Sequence, residues 1–111
     1  MYKLFGTLNI PGDKSVSHRA LILSSMSIGK SEITNLLEAD DIKATIQILK
    51  LLGITIHKRL GKWIVYGNGT NGFLQPKKDL NALNSGTTAR TMIGAVSSNP
   101  IECSFIGDES L

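Results

Sequence analysis

Residues 10–23 read IPGDKSVSHRALIL, and the fold follows from how that stretch is read. Before it, GTLNI at residues 6–10 has the make-up of a short strand. Pro11-Gly12 then turns the chain, and a helix begins around Ser15. Val16, Ala20, Leu23 and Met26 recur at helical spacing until Gly29 ends the helix. SEITNL at residues 31–36 follows, alternating polar with apolar as a strand with one buried face does.

The pattern continues downstream. Asp40-Asp41 offers an N-cap and a negative first turn to a second helix, in which Ile42, Ile46, Leu49 and Leu52 form one stripe and Lys43, Gln47 and Lys50 the wet face. Gly53 stops it, and two strands, ITIHKR and KWIVYG, are joined at a hairpin-like turn through Leu60-Gly61. From 67 to 79 the run GNGTNGFLQPKKD reads as a loop. LNALNS is a further short strand, Ala89, Met92, Ile93 and Val96 mark a third helix before Asn99-Pro100, and IECSFI is the strand after it. The expected fold class is α/β (α+β), with helices near 16–28, 41–52 and 87–98 packed on one side of short strands and a poorly anchored N-terminal strand.

A weak internal repeat at an offset of 71 residues places Arg19 over Arg90 and the strand SEITN over ECSFI. Each copy runs short strand, small-residue turn, hydroxyl-rich helix start with an arginine inside it, helix break, strand. The domain is therefore expected to be assembled from copies of one βαβαββ unit. Residues 11–67 form the first unit, 68–79 a loop and 80–111 the start of the second.

At 111 residues the chain is one folding unit. Its one Trp, two Tyr and three Phe leave the core to Ile, Leu and Val. Twelve basic residues against nine acidic ones suit an anionic ligand, an excess too mild to indicate nucleic acid. RNA recognition would want exposed aromatics among basic residues, whereas Phe5, Trp63, Tyr66, Phe73 and Phe105 are scattered and mostly in strand patterns. The lone Cys103 sits in an apolar-alternating run and reads as a small buried side chain. The start of the chain lacks a signal-like apolar core and no stretch approaches the ~18 apolar residues of a membrane span, so a cytoplasmic protein is expected.

Two segments carry chemistry. In Gly12-Asp13-Lys14-Ser15-Val16-Ser17-His18-Arg19, Lys14 and Ser15 lie at a helix start beside unpaired backbone N–H groups, and Arg19 projects from the same face as Ser15. An anion there meets an ammonium, a guanidinium, hydroxyls and the positive helix end together. A charge pair at about 4 Å is worth roughly 4 kcal/mol at an effective dielectric near 20, so two such cations hold a doubly charged ligand. A capped surface helix with scattered basic residues is the plainer reading. In Asn84-Ser85-Gly86-Thr87-Thr88-Ala89-Arg90, Gly86 lets the backbone approach a ligand, the threonines add hydroxyls, and Arg90 again stands four residues beyond the glycine. Its plainer reading is Ser85 as a simple N-cap.

Gly29-Lys30-Ser31 is not a nucleotide-binding loop, because Ser24 stands where its first glycine belongs and the segment leads from helix to strand. His18, His57 and Cys103 form no cluster with metal-ligand spacing, so no metal is expected.

At these segments the sequence resembles the 3-phosphoshikimate 1-carboxyvinyltransferase (EPSP synthase) family. IPGDKSVSHRALIL, NLLEADDIKATIQILKLLGI and LNSGTTARTMIG match its N-terminal signatures in order and spacing. The related enolpyruvyl transferase acting on UDP-N-acetylglucosamine carries Lys-Asn where this chain has Lys14-Ser15 and lacks the SHRA continuation. A non-catalytic binding module for RNA or other anions, and a folded piece without useful affinity, are the remaining alternatives.

The resemblance implies two lobes of three βαβαββ units each, about one and a half units being present, with the N-terminal strand reaching toward the other lobe. It implies transfer of the enolpyruvyl group from phosphoenolpyruvate to the 5-hydroxyl of shikimate 3-phosphate, without metal or organic cofactor. Carried over by position, Lys14 contacts both substrates and is the catalytic candidate. Ser15 and Arg19 bind the shikimate part, and Asn84, Gly86, Thr87 and Arg90 line the phosphoenolpyruvate side. Gly86 also borders the site of the herbicide glyphosate. SHRA rather than SNRA, and NSGTT rather than NAGTA, look like the Gram-positive subgroup that tolerates this herbicide better. Family chains are several times longer, so the 111 residues are expected to be an N-terminal piece, monomeric and inactive alone, whose partner is the missing C-terminal part.

Overall fold

Along residues 28–34 inward and outward side chains alternate: Ser31 and Ile33 are buried, while Lys30 and Glu32 stay on the wet side. A strand covered on one face behaves in this way. The computed structural model describes residues 6–9, 13–83 and 85–107. The elements are β1 Gly6–Asn9, α1 Lys14–Met26, β2 Ile28–Thr34, α2 Asp40–Leu51, β3 Thr55–Arg59, β4 Lys62–Asn68, β5 Leu80–Asn81, α3 Gly86–Val96 and β6 Phe105–Ile106.

One sheet has the strand order β1-β2-β4-β3, and β5 pairs with β6 in a second. Since β2 and β3 are each antiparallel to β4, β3 runs parallel to β2 with β4 between them. Both α1 and α2 are therefore crossover helices, the connection that parallel strands require. They cover the face that buries Ser31, Ile33, Ile56 and Val65. Leu21 of α1, Ile42, Ile48 and Leu49 of α2 and Met92 of α3 fill the interior, the aliphatic core expected from composition. The stripe Ile42, Ile46, Leu49 and Leu52 is buried, and Lys43, Gln47 and Lys50 are exposed.

Two turns show the local chemistry. The Gly53 N–H donates to the Lys50 carbonyl and the Ile54 N–H to the Leu49 carbonyl, both at 3.0 Å, which closes α2 through a residue at φ 94°. A Cβ on Gly53 would also stand 2.7 Å from Leu74 Cδ1, so the position excludes a side chain twice over. Between β3 and β4, Leu60 and Gly61 take φ values of 53° and 78°, the two-residue hairpin turn that matches strand twist.

The second parallel pair reproduces the first. Asn9 stands opposite Thr34 in β1/β2 and Leu80 opposite Phe105 in β5/β6, each position 71 residues further on. The repeat seen in the sequence is thus also a repeat of strand register.

Several boundaries differ from expectation, those of α2 and α3 by one or two residues. The helix begins at Lys14 because Asp13 caps it, and ends at Met26, so Gly29 belongs to β2. The N-terminal strand, expected to be poorly anchored, is paired with β2 over four residues. LNALNS shortens to Leu80–Asn81, because Leu83 turns into the left-handed region at φ 54° with its N–H on Asn81 Oδ1 at 2.8 Å. IECSFI shortens to Phe105–Ile106, because the Gln75 side chain takes the place of a neighbouring strand, accepting from the Glu102 N–H at 2.8 Å and donating to the Glu102 carbonyl. Cys103, expected to be buried, is half-buried against the core, and that burial raises its thiol above the ordinary value.

Candidate functional site

Three helix starts meet at one edge of the structure. Asp13 Oδ1 accepts the Val16 N–H at 3.0 Å and caps α1, which makes Lys14 the first helical residue. Ser85 Oγ accepts the Thr88 N–H at 3.0 Å and caps α3. Between them α2 starts after Ala39, which offers no side-chain cap, so the expected aspartate cap is not formed and Asp40 and Asp41 are the first helical residues.

The Asp41 carboxylate is engaged elsewhere. Lys14 Nζ lies 2.5 Å from Asp41 Oδ2. The Lys14 ammonium holds the Asp41 carboxyl below its usual range, against a smaller opposing effect of burial. The Asp41 backbone carbonyl accepts from Thr88 Oγ1 at 3.1 Å. One residue of α2 is thereby tied to the starts of both α1 and α3.

Beneath this junction runs a buried polar chain. Thr88 Oγ1 lies 3.0 Å from Thr45 Oγ1, which lies 2.8 Å from His18 Nδ1. His18 is 1% exposed, and its Nε2 has no partner among the described residues. If His18 donates from Nδ1 to Thr45, Thr45 to Thr88 and Thr88 to the Asp41 carbonyl, every proton in the chain has an acceptor and only the Nε2 lone pair is left over. The opposite order would strand an Nε2–H in the interior, which is more costly. Burial is the largest cause of a lowered His18 pKa; Asp41 opposes it and Lys14 adds to it. The imidazole is neutral near pH 7.

The residues singled out in the sequence fall as follows. Lys14 has a half-exposed side chain and is linked to the start of α3 through Asp41, whose backbone carbonyl accepts from Thr88 Oγ1. Gly86 is the first residue of α3, and a Cβ there would stand 3.0 Å from Arg90 Nη1, so the Arg90 guanidinium lies back over it. Thr87 is half-buried, its carbonyl accepting from Thr91 Oγ1 at 2.7 Å. Ser15 and Arg19, four residues apart, share the exposed face of α1. Among the described residues no hydrogen bond or ion pair ties Arg19 to Lys14 or Arg90. Asn84 lies outside the described residues.

Such an edge can receive an anion, since the starts of α1 and α3 and the Lys14 ammonium lie at it and the Arg90 guanidinium lies over Gly86, the first residue of α3. Among the described residues no group of three or more His, Cys, Asp or Glu is placed to hold a metal ion, and no helix is long and apolar enough to cross a membrane.

Residues 1–111 match the family described as EPSP synthase (3-phosphoshikimate 1-carboxyvinyltransferase). The chain belongs to the EPSP synthase family. The 3-phosphoshikimate 1-carboxyvinyltransferase of Zymomonas mobilis is 45% identical over 109 residues, covering 97% of this chain and 24% of its own length. That of a Bradyrhizobium species is 47% identical with the same coverage. Among solved structures, EPSP synthase from Acinetobacter baumannii superposes with a TM-score of 0.85 at 34% identity, over 96% of this chain and 24% of that one. The chain thus spans about a quarter of the length of the relatives it matches. The mixed helix-and-strand fold expected from the sequence is the fold of these EPSP synthase structures.

Sequence reasoning passed over Asp41 and Thr45 as parts of the site, gave His18 no role, and read the Thr88 hydroxyl as a ligand donor, whereas it is buried on the Asp41 carbonyl and Thr45. A signal was present: Thr45 interrupts the apolar stripe between Ile42 and Leu49, and a polar residue there needs a buried partner.

Proposed function

We propose that this chain supplies part of the active site of an enzyme that transfers the enolpyruvyl group of phosphoenolpyruvate to the 5-hydroxyl of shikimate 3-phosphate, releasing phosphate. The observation that carries the reading is the junction of Lys14 with the start of α3 at Asp41. Both substrates are polyanions, and cations aimed beside helix N-termini are the groups that bind and stabilise such charge. Lys14 contacts both substrates, Ser15 and Arg19 hold the shikimate part, and Asn84, Gly86, Thr87 and Arg90 line the phosphoenolpyruvate side. The reading includes no metal or organic cofactor, no nucleic-acid or membrane partner, and a monomer in the cytoplasm.

With about a quarter of the relatives' length present, the proton-transfer groups lie outside these residues. Enclosure of both substrates needs the other lobe, so the 111 residues alone bind weakly and do not turn over. Mixing the chain with the complementary part of a full-length relative, and assaying phosphate release from the two substrates, tests this. Activity only in the mixture, abolished by Lys14→Ala, supports it. Turnover by the chain alone refutes the placement of the essential groups.

A finer reading, tolerance of glyphosate as in a Gram-positive subgroup, rests on SHRA at 17–20 and NSGTT at 84–88 alone. The relatives named above are Gram-negative and lend it nothing. Inhibition of the reconstituted mixture by glyphosate at the level seen with a sensitive relative would refute it.

A further inference from the structure

We infer that Asp41 is a positioning residue, which fixes the Lys14 ammonium against the start of α3 so that one anion meets both. This rests on the substrate reading above for the identity of the anion, but its geometry stands independently. The Asp41 carboxylate bonds Lys14 Nζ at 2.5 Å, and the Asp41 backbone carbonyl receives Thr88 Oγ1 at 3.1 Å. The aspartate is therefore held from the starts of both α1 and α3, and its side chain is only 22% exposed, while that of Lys14 is 50% exposed.

An ammonium carries three N–H donors on a flexible stem. Fixing one on Asp41 confines the other two to a cone that opens toward solvent. The backbone carbonyl of the same residue bonds Thr88 in the first turn of α3, so that cone and the Ser85–Gly86 turn keep a constant separation. A lysine free in solvent would lose rotamer freedom on binding an anion; one already tethered loses less.

The inference makes a prediction of sign. A carboxylate beside an anion site repels the ligand, so on charge alone Asp41→Asn should tighten binding. Positioning requires the reverse: Asp41→Asn weakens binding about tenfold, the equivalent of about 1.4 kcal/mol. Asp40→Asn is the control, since it removes an equal charge from the same helix turn at an exposed position without touching Lys14.

The test titrates the 111-residue chain with shikimate 3-phosphate and, separately, with inorganic phosphate, following the amide signals of Lys14 and Gly86 by NMR. Nitrogen relaxation reports the order of the Lys14 ammonium without ligand. The expected result is an ordered ammonium in the wild type and in Asp40→Asn and a mobile one in Asp41→Asn, with weaker binding in the last alone. Should Asp41→Asn not fold, the wild type serves: ammonium order must fall in step with the Asp41 carboxyl titration as pH is lowered. Phosphate binding that is unchanged or tighter in Asp41→Asn, or an ammonium equally mobile with and without Asp41, overturns the inference. If phosphate binds in the expected order but shikimate 3-phosphate does not, the substrate reading falls and the role of Asp41 stands. If neither binds the wild type, both fall.

Discussion

Thr45→Val keeps the branched shape of the side chain and removes one hydroxyl, so it asks how much the buried polar chain between the helices contributes. Thr45 Oγ1 lies 2.8 Å from His18 Nδ1 and 3.0 Å from Thr88 Oγ1. With valine there, Thr88 still donates to the Asp41 carbonyl, but His18 has no side-chain partner, since Nε2 already lacks one among the described residues. Either tautomer then carries a buried N–H without an acceptor. An orphaned buried polar group costs about 1–3 kcal/mol, and the lost bond adds roughly 1 kcal/mol. The expected loss is about 2–4 kcal/mol.

For a chain of this size the unfolding entropy is about 0.2 kcal/mol/K, so the melting temperature should fall by ~10 °C or more. Urea unfolding followed by circular dichroism measures the loss, with Thr55→Val on the exposed side of β3 as a control expected within ~0.5 kcal/mol of wild type. Thr88→Val and the double variant complete a cycle. Because Thr45 and Thr88 share a bond, the double loss should fall short of the sum by at least about 0.5 kcal/mol. A Thr45→Val loss below ~0.5 kcal/mol, or strict additivity with Thr88→Val, would refute the hydrogen-bonded chain as a stabilising unit.

Two further outcomes are expected. The folded state lowers the His18 pKa below the ordinary imidazole value of about 6.5, so the unfolded chain binds the extra proton more readily. Stability is then complete above about pH 6.5 and declines as pH falls from there through the folded-state value; thermal melts across pH 5–8 check this, and His18→Asn should flatten the profile over that window. Leu60, 91% exposed at φ 53°, holds a left-handed turn position that asparagine tolerates better. Leu60→Asn should raise stability by about 0.5–1 kcal/mol in urea unfolding, and a decrease would argue against this turn.

The order of elements was legible because local signals agreed: Gly53 at a helix end, Leu60-Gly61 between alternating strands, and the stripe Ile42, Ile46, Leu49 and Leu52 along α2. Strand length at β5 and β6 was not legible, since it depends on what lies beside the strand. IECSFI has a strand's composition, yet Gln75 occupies the edge at Glu102 and only Phe105–Ile106 pairs. The functional segments were legible as helix starts rich in hydroxyls and cations. Their junction was not, because Asp41 looked like a cap for its own helix, and nothing along the chain says that Lys14 takes its carboxylate and Thr88 its carbonyl.

The duplicated unit also explains why its two copies do different work. The strands repeat with a spacing of 71 residues, yet the helix caps, Asp13 and Ser85, stand 72 apart. One residue is thus added before α3 and one removed after its start, and side chains aligned by sequence are turned by about 100° relative to the helix start. Arg19 and Arg90 coincide in the sequence repeat, but counted from the caps it is His18 that corresponds to Arg90 and Lys14 that corresponds to Gly86. In α1 the first helical position carries the ammonium, and the residue four further on is the buried imidazole that ties the helices together. In α3 the first position is bare, and the residue four further on is an exposed guanidinium that folds back into the space a Cβ would fill. Each copy therefore presents one cation at its helix start, delivered from the first turn in α1 and from the second in α3.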